Sequence, residues 1–73
     1  MATRQIHARL GQRVRALRKA RNWNQDDLAV ESGLGRTYIS NFENGLKNPN
    51  LNTLAILAAT FKMTVSELLD GCG

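Results

Sequence analysis

Apolar residues recur along this chain at the three- and four-residue spacing of amphipathic helices, and polar clusters break that rhythm four times. Ile6, Leu10, Val14 and Leu17 form one stripe and predict a first helix from about Gln5 to Arg21. Gly11 lies inside it, where glycine costs about 1 kcal/mol against alanine, so it marks a close approach of a neighbour. Asn22 ends the pattern. Asn24 then offers an N-cap with Asp27 three residues on, and Trp23 and Leu28 stand at the spacing of a hydrophobic staple. The second helix is expected over 25–32, with Leu28 and Ala29 inward. Gly33-Leu34-Gly35 makes a turn. A third helix follows over 36–44, with Ile39 and Phe42 inward. After a loop containing Pro49, Asn50 caps a fourth helix over 51–61, whose stripe is Leu51, Leu54, Leu57, Ala58 and Phe61. Thr64 and Glu67 form a capping box that starts a short fifth helix over 65–70.

The chain of 73 residues is long enough for one small, marginally stable domain with 42% hydrophobic residues. We read 1–5 as a flexible N-terminal arm, 6–70 as the folded domain and 71–73 as a tail. The single cysteine, Cys72, excludes a disulfide framework. No apolar run approaches the roughly 18 residues of a membrane span, and the N-terminal stretch lacks the apolar core of a secretory signal, so a cytoplasmic location is expected. Net charge is +4, and every charged residue before Asn22 is basic. Such a face suits either a polyanion, most often nucleic acid, or plain solvation. His7 is the only histidine, with no carboxylate or cysteine cluster around it. No phosphate loop or nucleophile elbow occurs, and Asp26 and Asp27 read as helix-dipole and capping residues. We therefore expect no enzyme activity, metal, cofactor or small-molecule ligand.

The outer face of the third helix is polar yet nearly uncharged, unlike the Glu–Lys pairing that serves solubility alone. A helix fits the major groove of B-DNA, and residues near its N-terminal end reach base edges. Arg36 could give two parallel hydrogen bonds to guanine or reach a phosphate. Thr37 offers a hydroxyl and a methyl, Asn41 an amide for adenine or another base, and Ser40 a short contact between them. Phosphate clamps should flank this face: Gln25 at the start of the second helix, Tyr38, Asn44 and, more weakly, Lys47. Tyr38 could instead pack against the second helix, and Asn44 could serve as a C-cap.

Ordered segments of the chain resemble the Cro/repressor (XRE-type) helix-turn-helix family. They are Gly11–Arg18, Gln25, Leu28-Ala29, Ser32–Leu34, Arg36–Ser40, Glu43–Gly45, Pro49 and Ser66–Leu69. The resemblance implies an all-α, compact five-helix lambda-repressor-like domain with the helix-turn-helix at the second and third helices. It implies base readers at Arg36, Thr37 and Asn41, sometimes Ser40, a phosphate contact at Gln25, and an internal ion pair between Arg18 and Glu43. The segment Arg-Thr-Tyr-Ile-Ser also resembles that of restriction–modification controller proteins, which are small dimeric regulators. Two departures stand out. Lys62 replaces the glycine that often follows the fourth helix, so either it is left-handed and strained or the turn differs. Ile56 and Ala59 stand where relatives commonly place polar residues; with Met63, Val65 and Leu69 they form either a homodimer face or, for Ile56, part of a short core. The expected function is a double-stranded DNA-binding transcriptional regulator, a homodimer on a palindromic operator. The alternative is an antitoxin-like protein-interaction module that binds DNA secondarily.

Overall fold

The computed structural model describes residues 2–70, with side chains from Gln5 onward; the tail with Cys72 lies outside the described residues. Five helices follow one another: α1 (Ala2–Ala20), α2 (Gln25–Ser32), α3 (Arg36–Glu43), α4 (Leu51–Thr60) and α5 (Val65–Asp70). The described residues are all helix and connection. α1 begins at Ala2, so residues read as an arm form its first turn; Ala2, Arg4 and Gln5 are good helix formers and no breaker intervenes.

The ends are set locally, as the sequence indicates. Asn24 Oδ1 accepts the Asp27 amide and Asp27 Oδ2 accepts the Asn24 amide, both at 2.8 Å. Asn50 caps α4 through the Thr53 amide at 2.8 Å. Thr64 and Glu67 exchange the same reciprocal bonds at the start of α5. Three helices end in a left-handed residue with the paired backbone bonds of a Schellman motif: Asn22 after α1, Gly45 after α3 and Lys62 after α4. Lys62 has φ 59°, so the turn is the one glycine would make, built with a residue that carries a Cβ.

The core gathers Leu10, Val14, Leu28, Ile39, Phe42, Leu57, Ala58, Phe61 and Leu68. Trp23 packs against it and stacks on Phe61, with ring centroids 6.0 Å apart. Two apolar residues expected inside are not. Ile6 is 54% exposed, because α1 outlasts its eight- to ten-residue neighbours and its first turns have nothing to pack against. Leu51 is 72% exposed: Thr53, Leu57, Ala58 and Phe61 define the inward face of α4, and Leu51 falls near its edge in the first turn. At Gly11, α1 crosses the end of α3 so closely that an added Cβ would stand 2.5 Å from the Phe42 carbonyl oxygen and 2.6 Å from that of Glu43.

One carboxylate ties three helices together. Glu43, whose side chain is fully buried, accepts two bonds from Arg18: Nε to Oε2 at 2.7 Å and Nη2 to Oε1 at 3.0 Å. Arg15 Nε and Gln25 Nε2 also donate to Oε1, at 3.3 and 3.2 Å. Arg18 Nη1 caps the Trp23 carbonyl at 2.8 Å. Burial pushes the Glu43 carboxyl up, but the bonds from Arg18, Gln25 and Arg15 and the Arg18 charge outweigh it and hold it below the ordinary carboxylate value.

Three measurements check this frame. Arg18→Ala leaves Glu43 buried without its main partner and should lower stability by about 3–5 kcal/mol; Arg15→Ala removes a half-exposed partner and should cost under about 1 kcal/mol. Equal melting temperatures for the two would contradict the assignment. Because the Glu43 pKa is depressed on folding, the unfolded chain binds more protons between the folded and unfolded values. The carboxylate's contribution is therefore complete above the ordinary carboxylate range and lost as pH falls through the folded value. Glu43→Gln should flatten that acid-side fall in melting temperature. Lys62→Gly relieves a left-handed Cβ and should raise stability by about 1 kcal/mol in chemical denaturation.

Candidate nucleic-acid interface

α3 is eight residues long and has two distinct faces. Ile39, Phe42 and Glu43 are buried, which turns Arg36, Thr37, Ser40 and Asn41 outward together. These four side chains line one open cleft of about 190 Å³. The placement follows from local chemistry: Gly33, at φ 76°, reverses the chain after α2, Gly35 enters α3 in extended conformation, and Leu34 packs on the core between them. The four residues expected to read bases are thus brought side by side on the solvent face of the second helix of the turn.

The cleft is rich in donors and poor in charge. Its single cation, Arg36, forms an ion pair through Nε with Asp26 Oδ1 of α2 at 3.1 Å. Both side chains are mostly exposed, so the pair is worth at most about 1 kcal/mol and yields readily to a stronger acceptor. Asp26 and Asp27 both lie in the first turn of α2, where the helix dipole favours them; Asp27 does the capping, and Asp26 also meets Arg36.

The expected phosphate clamps lie around this cleft with mixed attachments. Gln25 is half-buried and bonded to Glu43 Oε1, which fixes its side chain at the start of α2. Tyr38 packs against the core with its ring tilted on Phe42 at 6.1 Å, and Lys47 stands over that ring with Nζ 5.5 Å from its centre. Asn44 is exposed at the C-cap of α3. Tyr38 and Asn44 therefore both hold structural positions at the rim.

The basic first helix serves the fold more than the sequence suggests. Arg13 donates to the Leu68 and Glu67 carbonyls at 3.2 and 3.1 Å. Arg21 donates to the Phe61 carbonyl at 2.7 Å and lies over the Phe61 ring, 4.8 Å from its centre. With Arg15 and Arg18 on Glu43, these arginines knit α1 and the turn after it to α5 and to the C-terminal ends of α3 and α4. Their partners lie far along the chain, so no local sequence signal points to them. The residues expected at a subunit interface divide as well. Ala59 and Leu69 are exposed and Ile56 is half-buried, whereas Met63 and Val65 pack against the core. No helix among the described residues is long and apolar enough to cross a membrane.

Comparison with known proteins places the fold in a family. A family model described as helix-turn-helix matches residues 14–68. The control protein C.SmaI of Serratia marcescens is 43% identical over 64 residues, covering 88% of this chain and 76% of its own length. The HTH-type transcriptional regulator DdrOP3 of Deinococcus deserti is 40% identical over 63 residues; the match takes in 86% of this chain and 49% of that protein, so the chain spans about half of it. The crystal structure of the restriction–modification controller protein C.AhdI from Aeromonas hydrophila superposes with a TM-score of 0.79 at 38% identity, covering 84% of this chain and 92% of that one. With its turn between α2 and α3, the chain belongs to the helix-turn-helix family of Cro/repressor (XRE) type.

Proposed function

We propose that this protein regulates transcription by binding a specific double-stranded DNA sequence with α3 in the major groove. The observation that carries the reading is the convergence of Arg36, Thr37, Ser40 and Asn41 on one exposed cleft of α3. A groove-bound helix reads bases with such side chains near its N-terminal end. The ion pair with Asp26 engages Arg36 Nε, which leaves the two terminal nitrogens as a parallel pair of donors for guanine O6 and N7. Thr37 meets a thymine methyl or a base acceptor, and Asn41 an adenine edge. Gln25, Tyr38, Asn44 and Lys47 take phosphates and set the register. The similarity to C.SmaI and C.AhdI, named as a control protein and a restriction–modification controller, favours the narrower role of a restriction–modification controller.

The working form is a homodimer. Ile56, Ala59 and Leu69 leave apolar surface uncovered on α4 and α5, and Met63 and Val65 extend it inward. A second copy packed there by two-fold symmetry sets the two reading helices about 34 Å apart, one turn of DNA, and calls for a palindromic operator.

Two tests follow. Arg36→Ala and Thr37→Ala should each remove about 1–3 kcal/mol of discrimination at one operator position while binding to unrelated DNA persists. Selection of bound duplexes from a random pool reads this directly; variants that recover the wild-type operator would remove the base assignments. Sedimentation should give a dimer for the wild type at tens of micromolar and a monomer for Ile56→Glu, and a monomeric wild type would end the dimer reading.

A further inference from the structure

We propose that Arg15 is a DNA-phosphate contact, paired with Gln25 and steered by the Glu43 carboxylate beneath them. This rests on the DNA-binding reading above and adds a residue that neither the motif pattern nor the reading face assigns.

Charge is the first ground. Within the cluster, Arg18 faces Glu43 with two bonds and is itself buried, so these opposite charges cancel inside the protein. Arg15 then brings a second cation to the same carboxylate and is left uncompensated. Its side chain is 42% exposed, so the surplus charge sits at the surface. A cation in excess at the edge of a buried ion pair has an open claim on an external anion.

Geometry is the second ground. Arg15 is tied through Nε alone, and among the described residues its two terminal nitrogens donate to nothing. Gln25 Nε2 donates to the same oxygen, Glu43 Oε1, and one of its two amide hydrogens remains free. Arg15 and Gln25, both partly exposed, are thereby held near each other over that oxygen. One belongs to α1, the other is the first residue of α2. Together they hold unbonded N–H groups that an anionic oxygen accepts, a guanidinium pair on one residue and an amide hydrogen on the other.

Position is the third ground. Gln25 is the first residue of the helix that precedes α3, and the phosphate role proposed for it above brings a DNA strand to that helix start. Arg15, bound to the same atom, cannot be far from that strand. It therefore differs from Arg13 and Arg18 of α1 and from Arg21 in the turn after it, whose bonds run to backbone carbonyls or into the buried pair, and from the exposed Arg9 in sharing a carboxylate oxygen with Gln25. Glu43 orients Arg15 without cancelling it, because Arg18 already balances the carboxylate.

The test uses the full chain, its selected operator duplex and an unrelated duplex of equal length. Arg15→Ala should weaken both roughly tenfold at low salt, leaving the order of operator preferences intact. The slope of log K against log salt should fall by about 0.9 for each bound subunit, and Arg15→Lys should restore most of it. Methylphosphonate substitution should find one phosphate whose neutralisation weakens the wild type and Gln25→Ala but adds nothing to Arg15→Ala. Melting curves taken alongside separate lost folding from lost contact. An unchanged slope and affinity in folded Arg15→Ala would overturn the proposal and leave the DNA-binding reading standing. A wild type that selects no operator would overturn both.

Discussion

A charged carboxylate inside a small protein is tolerable only when its hydrogen-bonding capacity is met, and the arrangement of this domain follows from meeting that need for Glu43. Its oxygens receive donors from α1 and α2 while it belongs to α3, so three helices can approach one another in only one register. The carboxylate fixes it. The Gly11 crossing then sets the separation: α1 approaches the carbonyls of Phe42 and Glu43 so closely that no Cβ fits between them. The helix-turn-helix is held by a polar pin and a backbone contact, with the apolar core filling the space around them.

The parts of this organisation that depend on neighbouring residues were readable from the chain. Asn24, Asn50 and Thr64 cap the helices they precede, and each helix boundary after the first lies within about a residue of the periodic pattern. The four proposed base readers share one face because helical spacing alone puts them there. The family resemblance supplied the Arg18–Glu43 pair, which no local rule yields. What stayed hidden depends on distance along the chain. Arg13 and Arg21 reach carbonyls at the far ends of α5 and α4, and a basic run does not announce that its charges are committed elsewhere. Leu51 and Ile6 show the reverse error, in which periodicity names an apolar face but cannot say where the neighbouring helix stops.

Charge therefore plays a different part from the one that composition suggests. Most of the chain's cations lie on α1 and in the turn after it; Arg13, Arg18 and Arg21 are fixed there by bonds to the protein's own carbonyls and carboxylate, and only Arg18 is neutralised by a buried partner. The reading face carries one arginine, already loosely partnered. The cations left unneutralised keep their attraction for any polyanion, and preference for one sequence comes from matched donors and acceptors on the outer face of α3.

The division of α3 into two faces has an evolutionary consequence. Ile39, Phe42 and Glu43 are bound by the core and the polar pin, while Arg36, Thr37, Ser40 and Asn41 touch almost nothing that the fold requires. Substitutions on the outer face leave the hidden face undisturbed, so target preference can drift without a matching loss of stability. Such a helix works as an interchangeable key on a fixed bow: lineages can recut the teeth many times, and the grip that holds them need never change.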